Sequence, residues 1–200
     1  MDASIANVTL TGFSDMFQSR QHTEPKLAGE NHDDFDIRTW MHKMHVDTIG
    51  KTKTVVIPQM ALHQSIIAGA QYSKRQIPGQ GKATWTAKFA SGLIFYGNLP
   101  LNIDPETIGC IAISANADGV RGSGKRVTRR FPRIPQGWVT NFNVMIVDPI
   151  ITKDVFTEMV DLAGMFIGIG QNRPGNKGGG FGGRYKIDAI KWTDNRKIAA

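Results

Sequence analysis

Between Gly168 and Arg184 the chain reads GIGQNRPGNKGGGFGGR, and this run constrains what it can fold into more than any other segment. A stretch so rich in glycine has a backbone free to adopt positive φ and to let another chain come very close. The other side chains include Asn172, Arg173, Asn176, Lys177, Phe181 and Arg184, a set of amides, cations and one aromatic ring. Such a set suits a polyanion carrying flat bases, with guanidinium and amide groups for phosphates and a ring for stacking. A flexible glycine linker is the plainer alternative. Against it, Tyr185-Lys-Ile-Asp-Ala-Ile-Lys-Trp192 follows with strand alternation, so the fold continues beyond the loop.

With 200 residues and 40% hydrophobic composition, the chain can bury one core. The expected organisation is a single domain over 1–194, with insertions at 14–53 and 97–137 and a C-terminal tail at 195–200. A net charge of +7 favours nucleic acid or an anionic surface over acidic proteins. Cys110 is the only cysteine, which excludes an intrachain disulfide and a thiolate zinc cluster and fits a reducing cytoplasm. The start Met-Asp-Ala-Ser lacks the features of a signal peptide, and no stretch is long and apolar enough to span a bilayer. A soluble cytoplasmic protein with no membrane partner is expected.

Residues 4–12 read as a strand ended by Gly12, and 14–34 as a polar loop. Asp34 or Asp36 is expected to cap a short helix running to Met44. Residues 54–57 form a brief strand, and Pro58 opens a helix to Tyr72 with an apolar stripe of Met60, Leu62, Ile66, Ile67 and Ala70. A basic loop at 73–84 carries Lys74, Arg75 and Lys82. Residues 87–96 read as a central strand, 111–114 as a short one, and 116–135 as a long connection. Trp138–Val147 alternates, Thr152 caps an amphipathic helix, and the last strand reaches Trp192 before a frayed tail. Without insertions the order is βαββαβ. This predicts an α+β, modified ferredoxin-like (RRM-like) antiparallel sheet with helices on one face and long inserted loops. The open face of such a sheet is a common platform for single-stranded nucleic acid.

A large insertion after the first strand, a basic hairpin between the middle strands, and Gly179-Gly-Phe-Gly-Gly-Arg-Tyr-Lys-Ile187 leading into the last strand resemble the RAMP superfamily. These repeat-associated proteins form the backbone of CRISPR effector complexes. Segments 57–69 and 163–174 look like small phage-encoded relatives of that group. The resemblance implies nucleic-acid binding and side-by-side assembly along a strand, inside a bacterial host cell if the gene is a phage's.

The densest charge lies in Gly119–Arg133, where Arg121, Lys125, Arg126, Arg129, Arg130 and Arg133 crowd together. Arginine predominates, which favours bidentate phosphate contacts and stacking on bases, and such contacts make binding salt-dependent. A solvated basic loop is the alternative. Gly119–Lys125 nearly fits a P-loop, but Arg126 replaces the magnesium-binding hydroxyl and Pro132 and Pro135 break the required helix, so nucleotide hydrolysis is rejected. His42 and His45, near Asp33, Asp34 and Asp36, could hold a divalent metal, although capping and surface packing explain them more simply. Some RAMP relatives cut RNA with an Asp after the first strand, and Asp33 or Asp34 matches by position alone. His63 and the four tryptophans read as structural.

The expected function is non-catalytic binding of single-stranded nucleic acid, DNA favoured and RNA admitted, by a homo-oligomer or filament without cofactor or metal. The expected binding residues are Lys74, Arg75, Lys82, Arg121, Lys125, Arg126, Arg129, Arg130, Arg133, Arg173, Lys177, Phe181 and Arg184, with Tyr72 as a second stacking surface. The alternatives are a metal-dependent nuclease of RAMP type and a CRISPR-related protein-interaction factor.

Overall fold

A computed structural model describes residues 2–116, 126–176 and 179–197. In chain order the elements are β1 (Asp2–Gly12), β2 (Met16–Phe17), α1 (His32–Thr39), β3 (Val46–Ile49), β4 (Thr52–Ile57) and α2 (Gln59–Ser73). There follow α3 (Trp85–Ser91), β5 (Leu93–Phe95), β6 (Leu99–Pro100), β7 (Gly109–Asn116), β8 (Arg126–Ile134), β9 (Val139–Ile146), α4 (Lys153–Leu162) and β10 (Tyr185–Lys197). The described strands form three antiparallel sheets, ordered β10-β1-β9-β5, β2-β8-β7 and β3-β4-β6.

The four-stranded sheet is two-faced because its strands alternate. Ala6, Val8 and Leu10 of β1 and Phe142, Val144 and Ile146 of β9 are buried, whereas Asn7, Val139, Asn141 and Asn143 point to the other face and are exposed. Leu62, Ile66 and Ala70 of α2 and Phe156, Met159 and Val160 of α4 join the buried residues in one core cluster. Each such large apolar side chain contributes about 1.5–3 kcal/mol by leaving water. The helices meet at Gly69, where an added Cβ would lie 2.6 Å from the Ala163 Cβ. A side chain there would force the helices apart.

Four local expectations are corrected. Residues 87–96 are not one strand: α3 occupies 85–91, and only Leu93–Phe95 is extended. Trp85 and Phe89 fall one turn apart and are both buried, so the apolar content of this segment follows a helical period before Gly92 ends it. Residues 126–134 of the supposed connection are β8, paired in register with β7 from Gly109↔Arg133 to Asn116↔Arg126; the intervening 117–125 lie outside the described residues. The cap of α1 is Asn31, whose side-chain oxygen accepts from the Asp33 and Asp34 N–H groups at 2.8 and 2.9 Å. Finally, β10 runs past Trp192 to Lys197, paired with Asp2 of β1.

Candidate nucleic-acid interface

Asp15 and Phe17, just before and within β2, join the regions that carry the charge and the glycines. Phe17 pairs with Arg133 of β8 on one side and bridges to Gln171 of the glycine loop on the other, where its carbonyl accepts from the Gln171 N–H at 2.7 Å. Asp15 repeats the connection one step earlier, its carbonyl accepting from the Gly183 N–H at 2.6 Å. The glycines are required by this packing. A Cβ at Gly170 would strike the Phe17 carbonyl, and one at Gly182 would lie 2.8 Å from the Phe17 ring. Gly183, at φ +68°, faces the Ile169 carbonyl oxygen with no room for a side chain. The described part of the run is thus a folded loop, hydrogen-bonded to β2 and to itself.

Its ends are pinned together from below. The Ser65 hydroxyl donates to the Gly168 carbonyl at 2.9 Å and lies 3.0 Å from the Tyr185 hydroxyl. With its single proton engaged by Gly168, Ser65 accepts from Tyr185. Burial pushes the Tyr185 phenol well above its ordinary range, outweighing the opposing effect of the Ser65 hydrogen bond. Above, Phe181 packs edge-on to Phe17 with ring centroids 5.9 Å apart and remains 57% exposed. Arg173 is held inside the loop, bonding Asn176 at 3.2 Å and the Gly168 carbonyl at 3.3 Å.

Beside the loop runs β8. The Arg133 Nε donates to the Asp15 carboxylate at 2.6 Å, and the Gln136 N–H donates to the second Asp15 oxygen at 2.9 Å. Burial raises the Asp15 carboxyl, but these hydrogen bonds and the Arg133 charge outweigh it and leave the group below its ordinary value. Farther along, the Arg130 guanidinium meets Asp33 of α1 at 2.5 Å, and its backbone N–H donates to Asp36. Asp36 is buried with Lys43, which also donates to the Arg130 carbonyl at 2.8 Å. Arg126 bonds across the hairpin to Ser114 Oγ at 3.0 Å, and Arg129 lies between. The arginines of β8 are therefore placed along a strand, with Arg130 and Arg133 held by carboxylates. Arg121, Lys125 and Lys177 lie outside the described residues.

The remaining predicted cations sit elsewhere. Lys74 caps α2 in a left-handed conformation, Arg75 pairs with Glu158 of α4, and Lys82 occupies the following turn. Arg184 leans toward this end, with Nη1 3.9 Å from the Met165 sulfur. Next to Met165, Phe166 stacks on Tyr72 with centroids 4.9 Å apart and planes 20° from parallel. Tyr72 is thus half covered by a ring of its own chain.

The acidic and histidine residues have structural partners. Asp34 accepts from Asn31 at 2.7 Å, His42 lies 3.5 Å from Glu24, and the His45 N–H donates to Gln18 at 2.7 Å. Burial lowers the His45 imidazole below its ordinary value. A ring nitrogen of His63 lies 3.0 Å from the Phe89 carbonyl. Among the described residues, no group of three or more His, Cys, Asp or Glu is arranged to hold a metal ion, and no helix is long and apolar enough to cross a membrane.

The sequence reading missed Asp15, Phe17 and Gln171. A two-residue strand leaves no periodic trace, and only the Met-Phe pair inside a polar stretch hinted that something there is buried. It also passed over Asn7, Asn141 and Asn143, although the alternation of β9 placed the last two together.

No protein-family model matches the chain, and none of the curated proteins does. In structure it is similar to a chain of the type III-B Cmr-beta bound to cognate target RNA, with TM-score 0.52 and 11% identity over 96% of this chain and 61% of that one. It is also similar to Cmr6 from Pyrococcus furiosus, with TM-score 0.48 and 11% identity over 94% of this chain and 98% of that one. This chain therefore spans about three-fifths of the Cmr-beta chain it matches. At such identity the likeness is one of fold alone, and in fold it agrees with the RAMP resemblance drawn from the sequence.

Proposed function

We propose that this chain is a non-catalytic subunit that binds single-stranded nucleic acid and assembles along it. Its core is a ferredoxin-like unit built from β1, β5, β9 and β10, a reading supported by their order and their antiparallel pairing. The observation that carries the function is the position of Phe17, paired to Arg133 on one edge and to Gln171 on the other. Through it the basic hairpin and the glycine loop form one surface, with guanidinium groups for phosphates and the exposed Phe181 ring for an unpaired base. Duplex nucleic acid offers no such free base face. The similar fold of a chain in an assembly bound to target RNA supports the same reading.

The absence of catalysis is supported by the structural partners of the two candidate carboxylates: Asp33 fastens α1 to β8 through Arg130, and Asp34 accepts from Asn31. Assembly is supported by the shortness of the track that one such chain presents, since single-strand coats gain affinity from neighbours. Filter binding against single- and double-stranded oligonucleotides of DNA and RNA, followed by sedimentation with strands of increasing length, tests the whole reading. Single strands bind more tightly and complexes grow stepwise with length. Preference for duplex, or a strictly one-to-one complex on a long strand with protein in excess, would overturn it.

A further inference from the structure

The face of the four-stranded sheet turned away from the helices carries a groove of about 680 Å³, inside the ~300–1,000 Å³ range of small-ligand clefts. Its floor is a row of amides. Asn7 Nδ2 donates to Asn143 Oδ1 at 3.0 Å, and Thr9 Oγ1 donates to Asn141 Oδ1 at 2.6 Å. The strand register sets Lys191 beside Asn7 on the side opposite Asn143, and Tyr96, 59% exposed, forms part of the wall.

We propose that this face reads the base edges of the bound strand, with Asn7, Asn141 and Asn143 as the reading residues and Lys191 as a phosphate contact. The proposal rests on the nucleic-acid reading above and adds a second, base-discriminating site to it. Asparagine is a poor strand residue, because its side chain competes for backbone hydrogen bonds. Three at neighbouring positions of one exposed face are a costly way to make a merely wettable surface, where Thr or Lys would serve.

The chemistry of the row is specific. With Asn7 donating to Asn143, the Asn143 Nδ2 is left as an outward donor and the Asn7 Oδ1 as an acceptor beside it. A donor next to an acceptor matches the paired acceptor and donor of a base edge, as N7 and N6 of adenine present them to an Asn amide. Among the described residues neither atom has another hydrogen-bond partner, and Lys191 has no ion pair. Asn141 and Asn143 are two residues apart on one strand, about 7 Å, a spacing that lets successive bases meet successive amides. The row continues through Thr11 and Val139 toward Gly12, which pairs with Tyr185 where the glycine loop ends. A strand held by Phe181 and Arg133 can thus pass onto this face.

The test is fluorescence anisotropy with labelled homo-oligomers of A, C and T in DNA, and of A, C and U in RNA, over a range of salt. The proteins are the wild type, Asn143→Asp, Asn141→Asp and the double variant Arg126→Glu/Arg129→Glu. Both Asp substitutions replace an outward donor by an acceptor at an exposed position, and circular dichroism monitors folding in each. The ranking of the three bases shifts by about tenfold in Asn143→Asp or Asn141→Asp with an unchanged salt slope. The arginine variant weakens all three alike with a shallower slope. An unchanged ranking in both Asp variants while binding persists, or an equal loss for every base, overturns the base-reading role alone. A wild type that binds none of the oligomers overturns this proposal together with the function on which it rests.

Discussion

Ser65 and Tyr185 share a buried hydrogen bond of 3.0 Å, which ties α2 to the first residue of β10. Because the Ser65 proton goes to the Gly168 carbonyl, this one hydroxyl clamps the two ends of the glycine loop. Replacing Ser65 by Ala leaves the Tyr185 hydroxyl and the Gly168 carbonyl without it in a dry site, at a cost of about 1–3 kcal/mol. Chemical denaturation measures the loss. Ser65→Thr, which keeps the hydroxyl, separates the lost bonds from altered packing.

The pairing of Asp15 with Arg133 makes the junction sensitive to acid. The Asp15 carboxyl is depressed below its unfolded value of 3.8. Its contribution is therefore present above that value and disappears as pH falls through the lower, folded one. Asp15→Asn costs about 1 kcal/mol at neutral pH, since the pair is partly exposed. The gap between variant and wild type closes at the acid end of a series of denaturation curves. A gap that stays constant from pH 7 to pH 2 would show that the ion pair contributes nothing.

Arg126→Glu/Arg129→Glu removes two cations from β8 while leaving the Asp33–Arg130 attachment of α1 intact. Affinity for a single strand falls more than tenfold, and the slope of log K against log salt drops by about 1.4 if each arginine meets one phosphate. Arg130→Glu is a poorer probe. It would set a third carboxylate against Asp33 and Asp36 and lift α1 from the hairpin.

Phe181→Ala removes an exposed ring that packs edge-on to Phe17. Stability changes by less than about 0.5 kcal/mol, whereas affinity for a single strand falls by about 1–3 kcal/mol, the worth of one stacked base. Isothermal titration and thermal melting of the same protein read the two effects apart.

Gly183→Ala and Gly179→Ala separate conformation from crowding. Both residues have positive φ, +68° and +64°, but only Gly183 faces a wall, the Ile169 carbonyl. Gly179→Ala costs about 1 kcal/mol for the left-handed backbone. Gly183→Ala costs at least twice as much, because the two arms of the loop, at Gly183 and Ile169, must also move apart. Equal melting temperatures would mean that the loop does not pack as described.

Much of the architecture was legible because its signals are local. The β-branched residues of 4–12 pointed to β1, the alternation of 138–147 to β9, and the stripes behind Pro58 and Thr152 to α2 and α4, since propensity, period and face follow from local backbone geometry. Residues 85–91 misled because a short apolar segment suits a buried strand as well as a buried helix. Only packing of Trp85 and Phe89 against the core selected the helix. β8 escaped notice because its pattern is written in arginines, whose long chains tolerate a half-exposed strand without an apolar stripe.

From the sequence alone it followed that the chain carries a basic, arginine-rich segment and a glycine run that admits close backbone contact, because composition dictates charge and conformational freedom. Tertiary structure alone decided where these act. Arg130 meets Asp33 and Arg133 meets Asp15 across 97 and 118 residues of sequence, and Phe17 brings the hairpin to the glycine loop. No local pattern encodes such meetings. They arise because burying one core fixes the strand order, and the strand order determines which distant side chains share a surface.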